Sequence, residues 1–136
     1  MKFLNSLFCF LFLFGMGCGT IKDKDIVIYY TDQNNNRYRI TETSFDYTPI
    51  TDKESSSGTY NGGVPVSKKG SIEVFEELHQ LALDIIATAP KETKREMLTT
   101  ILSITSNGET DRRILRKSEK RTLFESKLVS LKQRLE

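Results

Sequence analysis

The sequence predicts an α+β fold of order ββα-ββα, a four-stranded antiparallel sheet with two helices packed on one face. Three observations predict it. Two runs with strand character, Ile26–Thr31 and Arg37–Thr41, flank a cluster of asparagines. Apolar residues recur at helical spacing between Ser71 and Pro90 and again after Ser118. Between those two helices, Asn107-Gly108 divides two segments with the best short-range hairpin signal a sequence can carry.

In chain order, Ile26-Val27-Ile28-Tyr29-Tyr30-Thr31 is rich in β-branched and aromatic residues, which suit a pleated, half-buried surface. Arg37-Tyr38-Arg39-Ile40-Thr41 alternates polar with apolar in period two. Asn tolerates left-handed backbone, so the intervening Asp32-Gln33-Asn34-Asn35-Asn36 reads as a hairpin with its tip at Asn34–Asn36. From Thr48 to Gly70 periodicity is lost among Pro49, Gly58, Gly62, Gly63 and Pro65, and a long loop is expected. Ser71 is placed to cap a helix with Glu73 in its first turn, and Val74, Phe75, Leu78, Leu81, Ala82, Ile85 and Ile86 give it one apolar face until Pro90 ends it.

Met97–Ser106 and Glu109–Lys117 then read as a second hairpin, favoured by the β-branched Thr99, Thr100, Ile101, Ile104 and Thr105. The alternative is a helix from near Pro90 with Met97, Leu98, Ile101 and Leu102 on one face and Asn107-Gly108 as its C-cap. Ser118 opens the last helix, whose apolar positions are Phe124, Leu128, Leu131 and Leu135.

Five of the eight Phe precede Gly15, so apolar residues are concentrated at the start of the chain. Lys2 supplies a positive end, Leu7–Phe14 is unbroken apolar sequence, and Gly15-Met16-Gly17 is a small-residue exit before Cys18. The run is shorter than the roughly 20 apolar residues that cross a bilayer. Phe14-Gly15-Met16-Gly17-Cys18 resembles the lipobox of bacterial lipoproteins, with Gly17 and Cys18 at its two defining positions and Gly15 where Leu is usual. The resemblance implies that Cys18 is the lipidation site and first mature residue. It divides the chain into a signal peptide over 1–17, a tether over 18–25 and a single α+β domain over 26–136. Gly19, in place of the Asp that retains lipoproteins at the inner membrane, implies the outer membrane of the cell envelope.

Charge and composition narrow the function. With residues 1–17 set aside, whose one charged side chain is Lys2, 19 basic residues face 18 acidic ones, so no bulk attraction to nucleic acid follows. Cys9 falls within the signal peptide, which leaves Cys18 as the lone mature cysteine and no disulfide. His79 is the one histidine, at the edge of its helix's apolar face, and reads as structural. Without a second His or a free Cys, a zinc site is not expected. No G-x-S-x-G elbow and no phosphate-binding Gly-Lys-Ser/Thr loop occurs.

Two candidate sites remain. The stretch Ser57, Gly58, Thr59, Tyr60, Asn61, Gly62, Gly63 reads either as a connector or as a recognition loop with Tyr60 held outward. Its Ser-Gly-Thr-Tyr-x-Gly-Gly-x-Pro pattern resembles a loop in small Gram-negative envelope lipoproteins of no assigned activity. Arg112, Arg113, Arg116 and Lys117 form a basic set suited to anionic lipid, or to solvent. The expectation is a membrane-anchored envelope lipoprotein, held by its N-terminal acyl chains, that acts as a non-catalytic binding or structural module for an envelope protein. No cofactor, metal or nucleic acid is expected. The alternative is a small enzyme or enzyme inhibitor working through Ser55–Pro65.

Overall fold

The structure is a computed structural model and describes residues 25–134, so Cys18, the signal segment and Leu135 lie outside the described residues. Eight elements follow in order: β1 (Ile26–Thr31), β2 (Arg37–Ile40), β3 (Ser44–Thr48), β4 (Val66–Lys69), α1 (Ile72–Thr88), β5 (Thr100–Ser106), β6 (Glu109–Leu115) and α2 (Glu119–Gln133). The strands form one sheet in the order β4-β3-β2-β1-β5-β6, with every neighbouring pair antiparallel.

The α+β class and the packing of two helices on an antiparallel sheet hold, but the sheet has six strands where four were expected. The order is ββββα-ββα. The first missing strand, β3, follows a tight turn made without Gly or Pro. Thr41 Oγ1 accepts from the Ser44 amide at 2.9 Å, and the Thr41 amide donates to the Ser44 carbonyl at 2.9 Å. The second, β4, lies inside the segment expected to be loop. Val-Ser-Lys-Lys has one apolar residue and no amphipathic pattern; it is a strand because its backbone pairs with β3 from Tyr47↔Val66 to Ser44↔Lys69. Its polar side chains and the preceding Pro65 suit an edge position, where they discourage further strand pairing.

Period two decides which face of each strand is buried. Tyr47, Tyr38, Tyr30 and Leu102 align across β3, β2, β1 and β5, and Phe45, Ile40, Ile28 and Ile104 form the next row. These residues share one core with Phe75, Leu78, Ala82, Ile85 and Ile86 of α1 and with Phe124 and Leu128 of α2. The Tyr38 ring lies 4.9 Å from that of Tyr47, and Tyr30 lies 5.2 Å from Phe124, both tilted as aromatic quadrupoles prefer. The other face of the sheet is open and carries the exposed Tyr29, Arg37, Arg39 and Arg112.

Local chemistry sets the connections. Asn35 (φ 68°) takes the left-handed position of the first hairpin, and Asn107 (φ 54°) with Gly108 (φ 82°) makes the turn of the second. The helical alternative for residues 91–106 is thereby replaced by a strand beginning at Thr100, with Met97 and Leu98 exposed ahead of it. Ser118 caps α2 by accepting from the Arg121 amide at 3.2 Å. Ser71 precedes α1 without a side-chain cap; its hydroxyl donates to Glu73 instead.

Leu98 is left-handed (φ 63°) although its side chain is 69% exposed. That conformation costs a non-glycine residue ~1–2 kcal/mol, while glycine adds ~0.5–1 kcal/mol of chain entropy to the unfolded state. Leu98→Gly is expected to raise the urea unfolding free energy by about 0.5–1 kcal/mol. A loss of stability would mean that the leucine side chain contributes packing.

Candidate functional site

The two ends of the sheet differ in what they carry. At the end where the chain enters at Asp25, β1 and β3 begin and β2 and β4 finish; we call it proximal. The distal end carries the turn Asp32–Asn36 and the connection 49–65, with the segment 89–99 entering β5 from that side.

Asn36 organises the distal end. It is 4% exposed, and its hydrogen bonds go to three segments of chain. Its Nδ2 donates to Asp32 Oδ2 at 2.7 Å and to the Tyr60 hydroxyl at 3.2 Å, and its Oδ1 accepts from the Ile50 amide at 3.0 Å. Ile50 in turn accepts from the Gly62 amide at 3.0 Å, and the Tyr47 hydroxyl donates to the Gly62 carbonyl at 2.6 Å. The Ser57–Gly63 stretch is thus tied down at Tyr60 and Gly62, and all its residues except Gly62 are exposed. Gly58 (φ 67°) and Gly63 (φ 92°) supply the left-handed backbone on either side of Thr59, Tyr60 and Asn61. An open hollow of about 850 Å³ beside the loop is lined by Pro49, Ile50, Asp52, Asn61, Val64 and Pro65, among others.

The basic set is not one surface. Arg113 stands opposite Leu102 on the helix-covered side of β6, its side chain is only 11% exposed, and it pairs with Asp111. Arg116 pairs with Glu92 and Glu96, each at 3.1 Å. Arg112 and Lys117 are exposed and make no ion pair among the described residues. Arg116 and Lys117 follow the end of β6 and so lie toward the distal end. Arg121, a few residues further on in the first turn of α2, is 4% exposed and serves the interior. Its guanidinium donates to Glu125 Oε1 at 2.9 Å and to the Leu98 carbonyl at 2.8 Å, and Glu125 also accepts from the Tyr30 hydroxyl at 2.5 Å. Burial, then the Glu125 contact, pushes the Tyr30 hydroxyl far above the usual tyrosine range, so it stays a donor.

His79 stacks on Phe75, with ring centroids 5.7 Å apart and planes 18° from parallel. Partial burial lowers its pKa from the usual 6.5, because the charged imidazolium loses hydration there. A lowered folded pKa means that the unfolded chain binds the proton first. The His79 contribution to stability is therefore expected to be constant above neutrality and to be lost as pH drops through 6.5 toward the lower folded value. In His79→Gln the decline of melting temperature across that window should be shallower; an identical pH profile would remove His79 from the account.

The proximal end holds a groove that sequence reading missed. Its cavity of about 440 Å³ lies where β3 and β4, the start of α1 and the end of α2 meet. The buried Ile40, Phe45 and Phe75 form its floor, and the half-buried Val74 and Leu131 its walls. Lys68 and Arg134 are at its lip, and the Lys68 ammonium donates to the Arg134 carbonyl, closing off the last turn of α2. The one hint in the sequence was Lys68-Lys69 immediately before a helix start, which carries no pattern of its own. Among the described residues no group of three His, Cys, Asp or Glu side chains is placed to hold a metal ion, and no helix is long and apolar enough to cross a membrane. The chain matches no protein-family model, no curated protein and no solved structure.

Proposed function

We propose that this protein is a lipoprotein of the bacterial envelope, anchored at the outer membrane through acyl chains on Cys18, and that it is a non-catalytic binding module. Its Ser57–Gly63 loop recognises a protein partner at the distal end. The observation that carries this reading is the tie between that loop and Asn36. An exposed loop held by a buried side chain is ordered before it meets a partner, which lowers the entropy cost of binding. Tyr60 is the anchor: it is 39% exposed, and its hydroxyl accepts from Asn36. Aromatic residues held in this way supply large contact area at low entropic cost.

The orientation agrees with the anchor. A tether over 18–25 would leave the proximal end toward the membrane and the distal loop facing away from it. The alternative, a small enzyme or inhibitor using Ser55–Pro65, calls for Tyr60 and several carboxylates lining one pocket. The hollow beside the loop has Asp52 as its carboxylate, and Tyr60 is not part of its wall, which favours binding.

Two measurements test the proposal. Wild-type protein is expected to partition into the detergent phase and to carry an acylated Cys18, whereas Cys18→Ala partitions into water. A Cys18→Ala protein still in the detergent phase would overturn the anchor. Cross-linking in intact envelopes is expected to trap a partner that Tyr60→Ala loses, since a central aromatic hot spot contributes ~2 kcal/mol or more. A partner retained equally by both proteins would overturn the loop assignment.

A further inference from the structure

We propose that the proximal groove holds one acyl chain of an anionic phospholipid from the anchoring membrane, with the lipid phosphate at Lys68 and Arg134. This rests on the lipid-anchored reading above. The groove presents two chemistries in series. Its floor and walls are the apolar Ile40, Phe45, Val74, Phe75 and Leu131, and its volume of about 440 Å³ lies within the ~300–1,000 Å³ typical of small-molecule sites. The lip is cationic. Lys68 stands opposite Phe45 in the β3–β4 pairing, so its side chain rises from the tail-binding floor to the mouth, where it meets the last turn of α2 at Arg134.

Among the described residues no carboxylate lines this lip, so a wholly apolar occupant would leave its charge without a counterpart, and a soluble anion would leave the floor wet. An amphiphile with a hydrocarbon tail and an anionic head satisfies both. Position selects its source. The groove is at the end where the chain enters the domain, and a tether over 18–25 spans at most ~25–30 Å when fully extended. The tether therefore lets the mouth reach the lipid surface, where each basic residue adds to attraction.

The chain contains no tryptophan, so a single introduced one reports on its own site. Ser71→Trp or Lys69→Trp places it at the groove, and Leu83→Trp on the exposed part of α1 is the control. The full lipidated chain is reconstituted into phosphatidylcholine vesicles containing phosphatidylglycerol with brominated acyl chains, which quench tryptophan on contact. Emission from the groove positions is expected to be quenched and that from position 83 spared. In a Lys68→Gln/Arg134→Gln background, which keeps a donor for the carbonyl at 134, half-quenching should need roughly 30-fold more of the anionic lipid. Equal quenching at both sites, equal quenching by brominated phosphatidylcholine, or quenching by a brominated fatty acid alone would each overturn the proposal. Protein that floats with vesicles yet shows no selective quenching defeats this proposal only; protein that does not float defeats the anchored reading with it.

Discussion

Arg121→Ala is expected to destabilise the domain by about 3 kcal/mol, the largest loss for any single charged side chain in it. The reason is the number of elements that meet at this guanidinium. It bridges Glu125 on its own helix, the Leu98 carbonyl ahead of β5 and, more distantly, the Leu115 carbonyl and Gln33. Alanine strands the Leu98 carbonyl and leaves Glu125 facing the Tyr30 hydroxyl without its cation. The cost sits at the low end of the range for a broken buried pair because the Glu125 side chain is 33% exposed and water partly replaces the arginine. Tyr30→Phe removes a single donor to that same carboxylate and should cost only about 1 kcal/mol. Urea unfolding of the two single variants and the double variant measures this. If Arg121→Ala cost no more than Tyr30→Phe, the guanidinium would be an exposed-type charge despite its burial.

Gly62→Ala is expected to cost about 2–3 kcal/mol and to release the Ser57–Gly63 loop. A Cβ at this position would lie 2.0 Å from Asn36 Oδ1 and 2.7 Å from Pro49 Cβ. Asn36 has no room to yield, because its side chain is committed to Asp32, Tyr60 and Ile50. Gly63→Ala makes the informative comparison. A Cβ there meets nothing within 4 Å, and only its left-handed backbone is strained, so about 1 kcal/mol is expected. Limited proteolysis within 57–63 alongside urea unfolding distinguishes the two. Equal effects would show that backbone conformation, not the Asn36 contact, governs the loop. Because Gly62→Ala should also abolish the partner contact assigned to Tyr60, it links distal-end order to recognition.

Elements governed by local chemistry could be read from the chain: the period-two run into β2, the Asn107-Gly108 turn, the apolar stripe of α1 and the Ser118 cap of α2 each depend on residues within a few positions of one another. What depends on partners distant in the chain could not be read. β4 has no pattern because an edge strand needs only a neighbour, and β3 supplied it. Arg113 and Arg121 look like their exposed neighbours in sequence, and only the packing of α1 and α2 on the sheet covers them. The loop's order comes from an asparagine more than twenty positions upstream of Tyr60, together with Tyr47 and Ile50, which hold Gly62. The proximal groove joins residues from 40–45, 68–75 and 131–134, so neither its shape nor its charge existed until the sheet and both helices closed around it.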